Sequence, residues 1–250
     1  MTMNELTNCL PDHPNIKLFC SSKVNGNMSF GFGEKAEVFN NRKTFFASIN
    51  IDIKNTSNFK IQNSDIITVV TDDFYKGFGS ISDVEIKTDA IITNIKNVFF
   101  YIAFGDCIPC IIYNKASNTI GYAHLGWKSI CLDLHNKVLK QILNMEISQL
   151  SDIYVFIGPC IKVPTYCFDY PAQLDMPEWK NYVCLLDNGK YSVDLNRFVI
   201  DGLIFNGVEE SHIYYSSVDT GIHPDFYSHY RSMNVPNTIE GRFIFGVGLT

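Results

Sequence analysis

Cys107 and His124 lie 17 positions apart on segments that read as consecutive strands. That spacing lets a strand, a turn and a returning strand bring a thiol and an imidazole to one end of a sheet. Two chemistries follow from such a meeting. A histidine holds a cysteine as thiolate for nucleophilic attack, or both ligate zinc as nitrogen and sulfur donors. Spacing alone favours the bland reading, because a single strand cysteine is most often a small buried hydrophobe and a single histidine a satisfied polar group. Three neighbouring features weigh against it. Asp106 sets a carboxylate at the end of an apolar strand, which is costly unless it is paired or used. Gly126 lets the chain turn from strand into helix, and a helix starting there offers unpaired N–H groups and a positive dipole end to an anion. Cys107-x-x-Cys110 has the spacing of a redox pair, but such pairs open a helix, and residues three apart on a strand face opposite sides.

The elements that must position this pair are short runs of β-branched and aromatic residues bounded by Asn, Asp, Ser and Gly. Strands are expected at Asn15–Cys20, Thr44–Ile53, Ile66–Val70, Ala90–Thr93, Val98–Ala103, Ile108–Tyr113 and Thr119–Ala123. Later ones are expected at Asp152–Ile157, Ile213–Ser216 and Phe243–Leu249. From Trp127 to Met145 the period changes: Trp127, Cys131, Leu134, Val138, Ile142 and Met145 recur every three or four residues, the mark of an amphipathic helix. A second helix is expected from Asp194, a good N-cap, to Asn206, with Gly207 closing it. The reading is an α/β fold, a mixed sheet packed with helices, in one domain over residues 1–250. No repeat, heptad run or low-complexity linker divides the chain.

Bulk composition narrows the function classes. Hydrophobic residues make up 46% of 250, enough for a packed core. A net charge of -6 and no basic stripe argue against nucleic acid as partner, so a small-molecule substrate is expected. No apolar run reaches bilayer length, and the opening Met1-Thr-Met-Asn-Glu-Leu lacks the basic and apolar regions of a signal peptide. A cytosolic location without membrane contact is therefore expected, with the eight cysteines present as thiols.

The motifs resemble those of the YfiH-like laccase-domain family, whose members include purine nucleoside phosphorylases, proteins once assigned as polyphenol oxidases, and peptidoglycan editing factors. Asp106-Cys107-Ile108-Pro109 resembles the family's Asp-Cys-Leu-Pro, and Ala123-His124-Leu125-Gly126-Trp127-Lys128 resembles its Ala-His-Ala-Gly-Trp-Arg, in the same order and at a matching separation. Asn41-Arg42, Thr88-Asp89-Ala90, Gly158-Pro159-Cys160 with Tyr166, Asp194-Leu195, Phe226, Ser228, Arg231 and Gly241-Arg242 extend the similarity over nearly the whole chain. The resemblance implies a single YfiH-type α/β domain with zinc held by two histidines and one cysteine. The implied activity is phosphorolysis of purine nucleosides, with deaminase activity in some members. A multicopper oxidase is chemically doubtful in a chain with so few histidines beside Cys107 and His124.

Carried over by motif, Cys107 and His124 become two zinc ligands. The family's third, a histidine in Gln-Val-His-Gly, falls at Val69-Val70-Thr71-Asp72, where Thr71 is a poor ligand. Zinc binding is then weakened unless Asp72, Asp73, His223 or His229 substitutes. Lys128 replaces an arginine, keeping the charge and losing the forked donor. Three functions stay open. In a nucleoside phosphorylase, Lys128, Arg231 or the Gly126 helix end holds phosphate, Phe226 or Tyr166 stacks on the base, Asp106 manages protons, and Arg242 joins the substrate-binding set. In a metal-free hydrolase or acyl or amide transferase, Cys107 attacks with His124 as base. The third is a small-molecule-binding relative that has lost the chemistry.

Overall fold

The computed structural model describes residues 13–82, 85–145 and 149–250; the opening segment and Cys9 lie outside them. The chain runs β1 (Ile16–Cys20), α1 (Lys35–Ser48), β2 (Thr56–Lys60), β3 (Ile67–Val70), β4 (Ile86–Lys87), β5 (Ala90–Thr93), β6 (Phe99–Phe104), β7 (Ile108–Asn114) and β8 (Thr119–Leu125). It continues through α2 (Trp127–Cys131), α3 (Leu134–Met145), β9 (Ile153–Ile157), β10 (Cys167–Phe168), β11 (Val183–Leu185), β12 (Tyr191–Val193), α4 (Leu195–Phe205), β13 (Ile213–Tyr215), α5 (His229–Asn234) and β14 (Phe243–Leu249). The α/β class is as the sequence indicates, with two mixed sheets in place of one.

Strands β13-β9-β7-β8-β5-β3 form a six-stranded sheet, β1-β14-β6-β2-β4 a five-stranded one, and β10-β12-β11 a small third. The period-two alternation of strands sorts their side chains into three packing layers. Ile111, Tyr113, Ile120, Tyr122 and Phe156 meet Phe100, Ile102, Phe104, Phe245 and Val247 between the two large sheets. On the outside of the six-stranded sheet, Ile92, Cys110, Ile112 and Ala123 pack on Val138, Leu139 and Ile142 of α3 and Val199 and Leu203 of α4. On the outside of the five-stranded sheet, Phe19, Tyr101 and Ile244 pack on Phe45 and Phe46 of α1. The order of layers is therefore helix, sheet, sheet, helix. Both faces of β7 and β8 are covered, which is why every residue of those two strands is buried.

Two expected elements differ. Thr44–Ile53, expected as a strand, is half helix and half turn, because α1 runs on to Ser48; the buried face of α1 is Val38, Arg42, Phe45 and Phe46. The inward stripe has helical spacing, but an arginine occupies it, so the sequence shows no apolar period there. The helix expected over Trp127–Met145 is two helices, broken at Leu132-Asp133, where Asp133 takes a φ of 62°. The helix after Asp194 forms as expected, with the Asp194 carboxylate accepting from the Arg197 N–H at 2.9 Å.

Candidate active site

The hairpin β7–β8 sets the first two side chains. Ile108 pairs with Leu125 and Pro109 with His124, so Cys107, one residue before β7, lies level with Gly126. Both Cys107 and His124 face the layer between the large sheets, where Cys107 packs half-buried on the shared core and His124 lies 5.8 Å from the Phe104 ring. Cys110 faces the helix layer instead, so Cys107 and Cys110 are on opposite sides. A Cβ placed on Gly126 would stand 3.4 Å from Cys107 Sγ, 3.5 Å from His124 Cε1 and 3.7 Å from Asn63 Oδ1. Three side chains thus converge on one glycine. Its φ of -81° is open to any residue, so the glycine supplies room for the site, where a turn was expected to need it.

Asp89 completes the arrangement from β5. Ala90 pairs with Ala123, and the His124 backbone N–H donates to the Asp89 carbonyl at 2.8 Å. The Asp89 side chain, 0% exposed, sits 3.1 Å from His124 Nδ1. The same carboxylate accepts from the backbone N–H groups of Gln62, Asn63 and Ser64 and from the Ser64 hydroxyl. One buried carboxylate therefore orients the imidazole and folds the 62–64 loop so that Asn63 reaches the site. Burial opposes the Asp89 charge, but hydrogen bonds from His124 and Ser64 outweigh it and hold the carboxyl below its usual range. Burial likewise opposes a charged His124, yet the Cys107 sulfur and Asp89 prevail and raise the ring to about 9.

Asp106 has a structural load. Its carboxylate accepts from the hydroxyls of Thr220 and Ser228 and from the Tyr230 N–H, at 2.7, 3.0 and 2.6 Å. These bonds hold it at a φ of 88°, a conformation disfavoured for a residue with a Cβ. Three hydrogen bonds commit it to tying two late loops to the start of β7. Gly126 does not offer an anion site either, because α2 has five residues and the Gly126 N–H already donates to Ser129 Oγ at 3.1 Å.

The other expected residues divide. Tyr166 is brought to the site: burial first, then its neighbours Cys107 and Asp106, push its phenol up. With Trp127 and Phe168 it walls a cleft of about 190 Å³, and Lys128, exposed, lies 5.7 Å from the Trp127 ring. Phe226 is core, 4.9 Å from Phe243 in an edge contact, so it is not available to stack on a base. Arg231 donates to the carbonyls of His223 and Phe226 and staples that loop. Arg242 lies elsewhere, on a larger cleft shared with Arg42. Asn63 and Asp89 are site residues that no role was expected for. Asp89 carried the same signal as Asp106, a charge against an apolar strand; Asn63 carried only that of a turn.

The zinc expected from the resemblance needs a third strong donor. Thr71 is not near the pair: Val70 is level with Thr93 in the β3–β5 ladder, three residues along from Ala90, so Thr71 lies at the opposite end, roughly 10 Å away or more. Asp72 caps the turn at Phe74, His223 accepts from the Asp225 N–H, and His229 pairs with Glu240 at 2.8 Å. The third corner is Asn63, an amide. Among the described residues no group of three His, Cys, Asp or Glu side chains is placed to hold one metal ion. The set of one thiol, one imidazole and one amide does not fit the two-histidine, one-cysteine arrangement.

The fold and the pair together define a two-sheet α/β protein with a Cys–His–Asp site at a sheet end. The sequence family described as multi-copper polyphenol oxidoreductase laccase matches residues 21–250, and the chain belongs to that family. It is 31% identical over 229 residues to purine nucleoside phosphorylase YlmD of Bacillus subtilis, covering 86% of this chain and 78% of that one. The hypothetical protein YfiH of Bacillus licheniformis superposes with a TM-score of 0.84 at 24% identity, over 94% of this chain and 93% of that one. YlmD of Geobacillus stearothermophilus gives 0.83 at 22%, over 96% and 93%. Among the described residues no helix is long and apolar enough to cross a membrane.

Proposed function

We propose that this chain is a nucleoside-processing enzyme of the purine nucleoside phosphorylase kind, working at Cys107 and His124 on a small nucleoside with phosphate as co-substrate. The observation that carries the reading is the meeting of the Cys107 thiol, the His124 ring and the Asp89 carboxylate at one sheet end, in a chain similar to a relative bearing that name. Asp89 at Nδ1 fixes the ring and leaves its other edge toward Cys107, where it holds or moves a proton. The Trp127–Tyr166–Phe168 wall offers apolar surface to a planar base. A cytosolic location belongs to the same proposal, supported by seven described cysteines that are all free thiols.

The test is purine release from adenosine and inosine by folded protein, with and without phosphate. Phosphate-dependent release that disappears in His124→Ala supports the reading; no release in either condition overturns it.

A second reading draws on Asn63. With an amide where a third strong zinc donor would stand, Cys107 serves as a nucleophile held by a His–Asp pair, in hydrolysis or acyl or amide transfer. Iodoacetamide labelling of Cys107 that depends on His124 supports the nucleophile. Near-stoichiometric zinc in protein purified without added metal, with Cys107 protected by it, supports the ligand.

A further inference from the structure

Gln173 sits on the single turn Ala172–Asp175, which is docked on α2. The sulfur atoms of Met176 and Cys131 lie 4.0 Å apart, and Cys131 is one turn along α2 from Trp127. The turn closes on main-chain bonds, with the Leu174 N–H donating to the Pro171 carbonyl at 3.0 Å and the Met176 N–H to the Gln173 carbonyl at 3.2 Å. The Gln173 side chain takes no part in them. It is 5% exposed, and among the described residues its amide bonds to no protein group. A glutamine amide has donors and an acceptor to satisfy, and leaving them unpaired under burial is costly. A leucine or methionine would fill the same space without that cost, so packing does not explain a glutamine here.

The residue lines the cleft of about 190 Å³ together with Trp127, Tyr166, Phe168 and Tyr170. Tyr166 and Phe168 meet edge to face, their centroids 4.7 Å apart at 90°. The Tyr170 hydroxyl donates to Asp175 at 2.7 Å, which ties that ring to the turn carrying Gln173. The volume is below the roughly 300–1,000 Å³ of sites that enclose a whole drug-sized ligand, so the cleft takes a single ring system. Aromatic walls favour a flat one. Tyr166 also borders Cys107, so the cleft adjoins the Cys107–His124 pair. Among the lining side chains Gln173 alone presents a donor and an acceptor side by side, and a ring edge that satisfies it carries the complementary two.

We infer that Gln173 is the specificity-determining residue of this cleft, its amide pairing with the exocyclic group of a purine and the ring nitrogen beside it while the aromatic walls hold the ring. The ligand class rests on the nucleoside reading above; the residue that selects within the class is what the cleft adds. Glutamine makes such a two-bond contact with the edge of adenine. Its amide can also turn over, meeting an exocyclic amino group with its oxygen and an exocyclic oxo group with its nitrogen. A purine lacking the exocyclic group keeps one bond of the two.

The experiment is equilibrium titration of the full chain with free adenine, hypoxanthine and unsubstituted purine, without phosphate, read by quenching of tryptophan fluorescence. Of the two tryptophans, Trp127 is on the cleft wall, and Trp179 is buried against Phe198 with ring centroids 3.9 Å apart. The wild-type chain is expected to bind adenine and hypoxanthine about tenfold more tightly than unsubstituted purine, the effect of one hydrogen bond. In Gln173→Leu the three bind alike. In Gln173→Glu, whose carboxylate only accepts, hypoxanthine is lost and adenine is kept, a reversal that a merely structural glutamine would not produce. Folding of both variants is checked by melting, and the wild-type comparison needs neither of them. Equal binding of all three by the wild type, no binding of any at millimolar concentration, or an unchanged preference in the folded variants overturns the inference. Purine release is a separate readout. Release with an unchanged base preference in Gln173→Leu keeps the reaction and removes this role, and selective base binding without release does the reverse.

Discussion

At Asp89 a single carboxylate joins the His124 imidazole to the loop that carries Asn63. Asp89→Asn puts an amide donor among backbone donors and removes the charge facing His124, leaving buried groups unpaired. The expected cost is about 3 kcal/mol, read as a shift of the urea midpoint, with loss of activity in the fraction that stays folded. The His124 ring, raised from 6.5 to about 9, gives the pH dependence its sign. A group whose pKa is higher folded than unfolded contributes stability that is full below the unfolded value and fades as pH rises through the folded one. Stability from this contact is therefore expected to fall between about pH 6.5 and pH 9, and denaturation midpoints across that window should lose this slope in His124→Gln. A wild-type curve flat through it contradicts the assignment. Asp106 shows the limit of reading single residues: a costly charge is paired or used, and here it is paired.

Among the elements, the β7–β8 hairpin and the helices behind it divide the glycines into two kinds. Gly121 faces α3, and a Cβ there would meet Val138 Cγ1 at 2.5 Å and Ile142 Cδ1 at 2.8 Å. Gly121→Ala overpacks that contact and is expected to cost about 1–3 kcal/mol, measured by thermal or chemical denaturation. Gly126→Ala makes ordinary contacts of 3.4 Å or more. It should leave stability within about 0.5 kcal/mol while setting a methyl group between Cys107 and His124, so slower alkylation of Cys107 is the readout. The hairpin was legible because alternation and a turn are local signals. Helix α1 was not, because Arg42 stands in its inward stripe, where it donates to the Tyr101 hydroxyl of β6 at 3.1 Å.

At the scale of the molecule, two sheets share one core, and the Tyr122 hydroxyl of the six-stranded sheet donates to the Phe245 carbonyl of the five-stranded one at 2.6 Å, fully buried. Tyr122→Phe keeps the ring and removes that link. A loss of about 1 kcal/mol with retained fold is expected by denaturation, and a larger loss would mean the sheets depend on the bond for their docking. The chain alone determined that Cys107 and His124 share a sheet end and a face, because strand alternation and hairpin register act over neighbouring residues. It equally determined the family through motifs and the α/β class through patterning. Tertiary structure decided what surrounds the pair. Asn63 reaches the site because β3 runs parallel to β5, which puts the loop before β3 at the site and Thr71, after it, at the far end. Asp89 becomes the orienting carboxylate, Asp106 a bracket and Arg42 a cleft-lining cation only through partners distant in sequence, and such non-local pairing leaves no periodic mark on the chain.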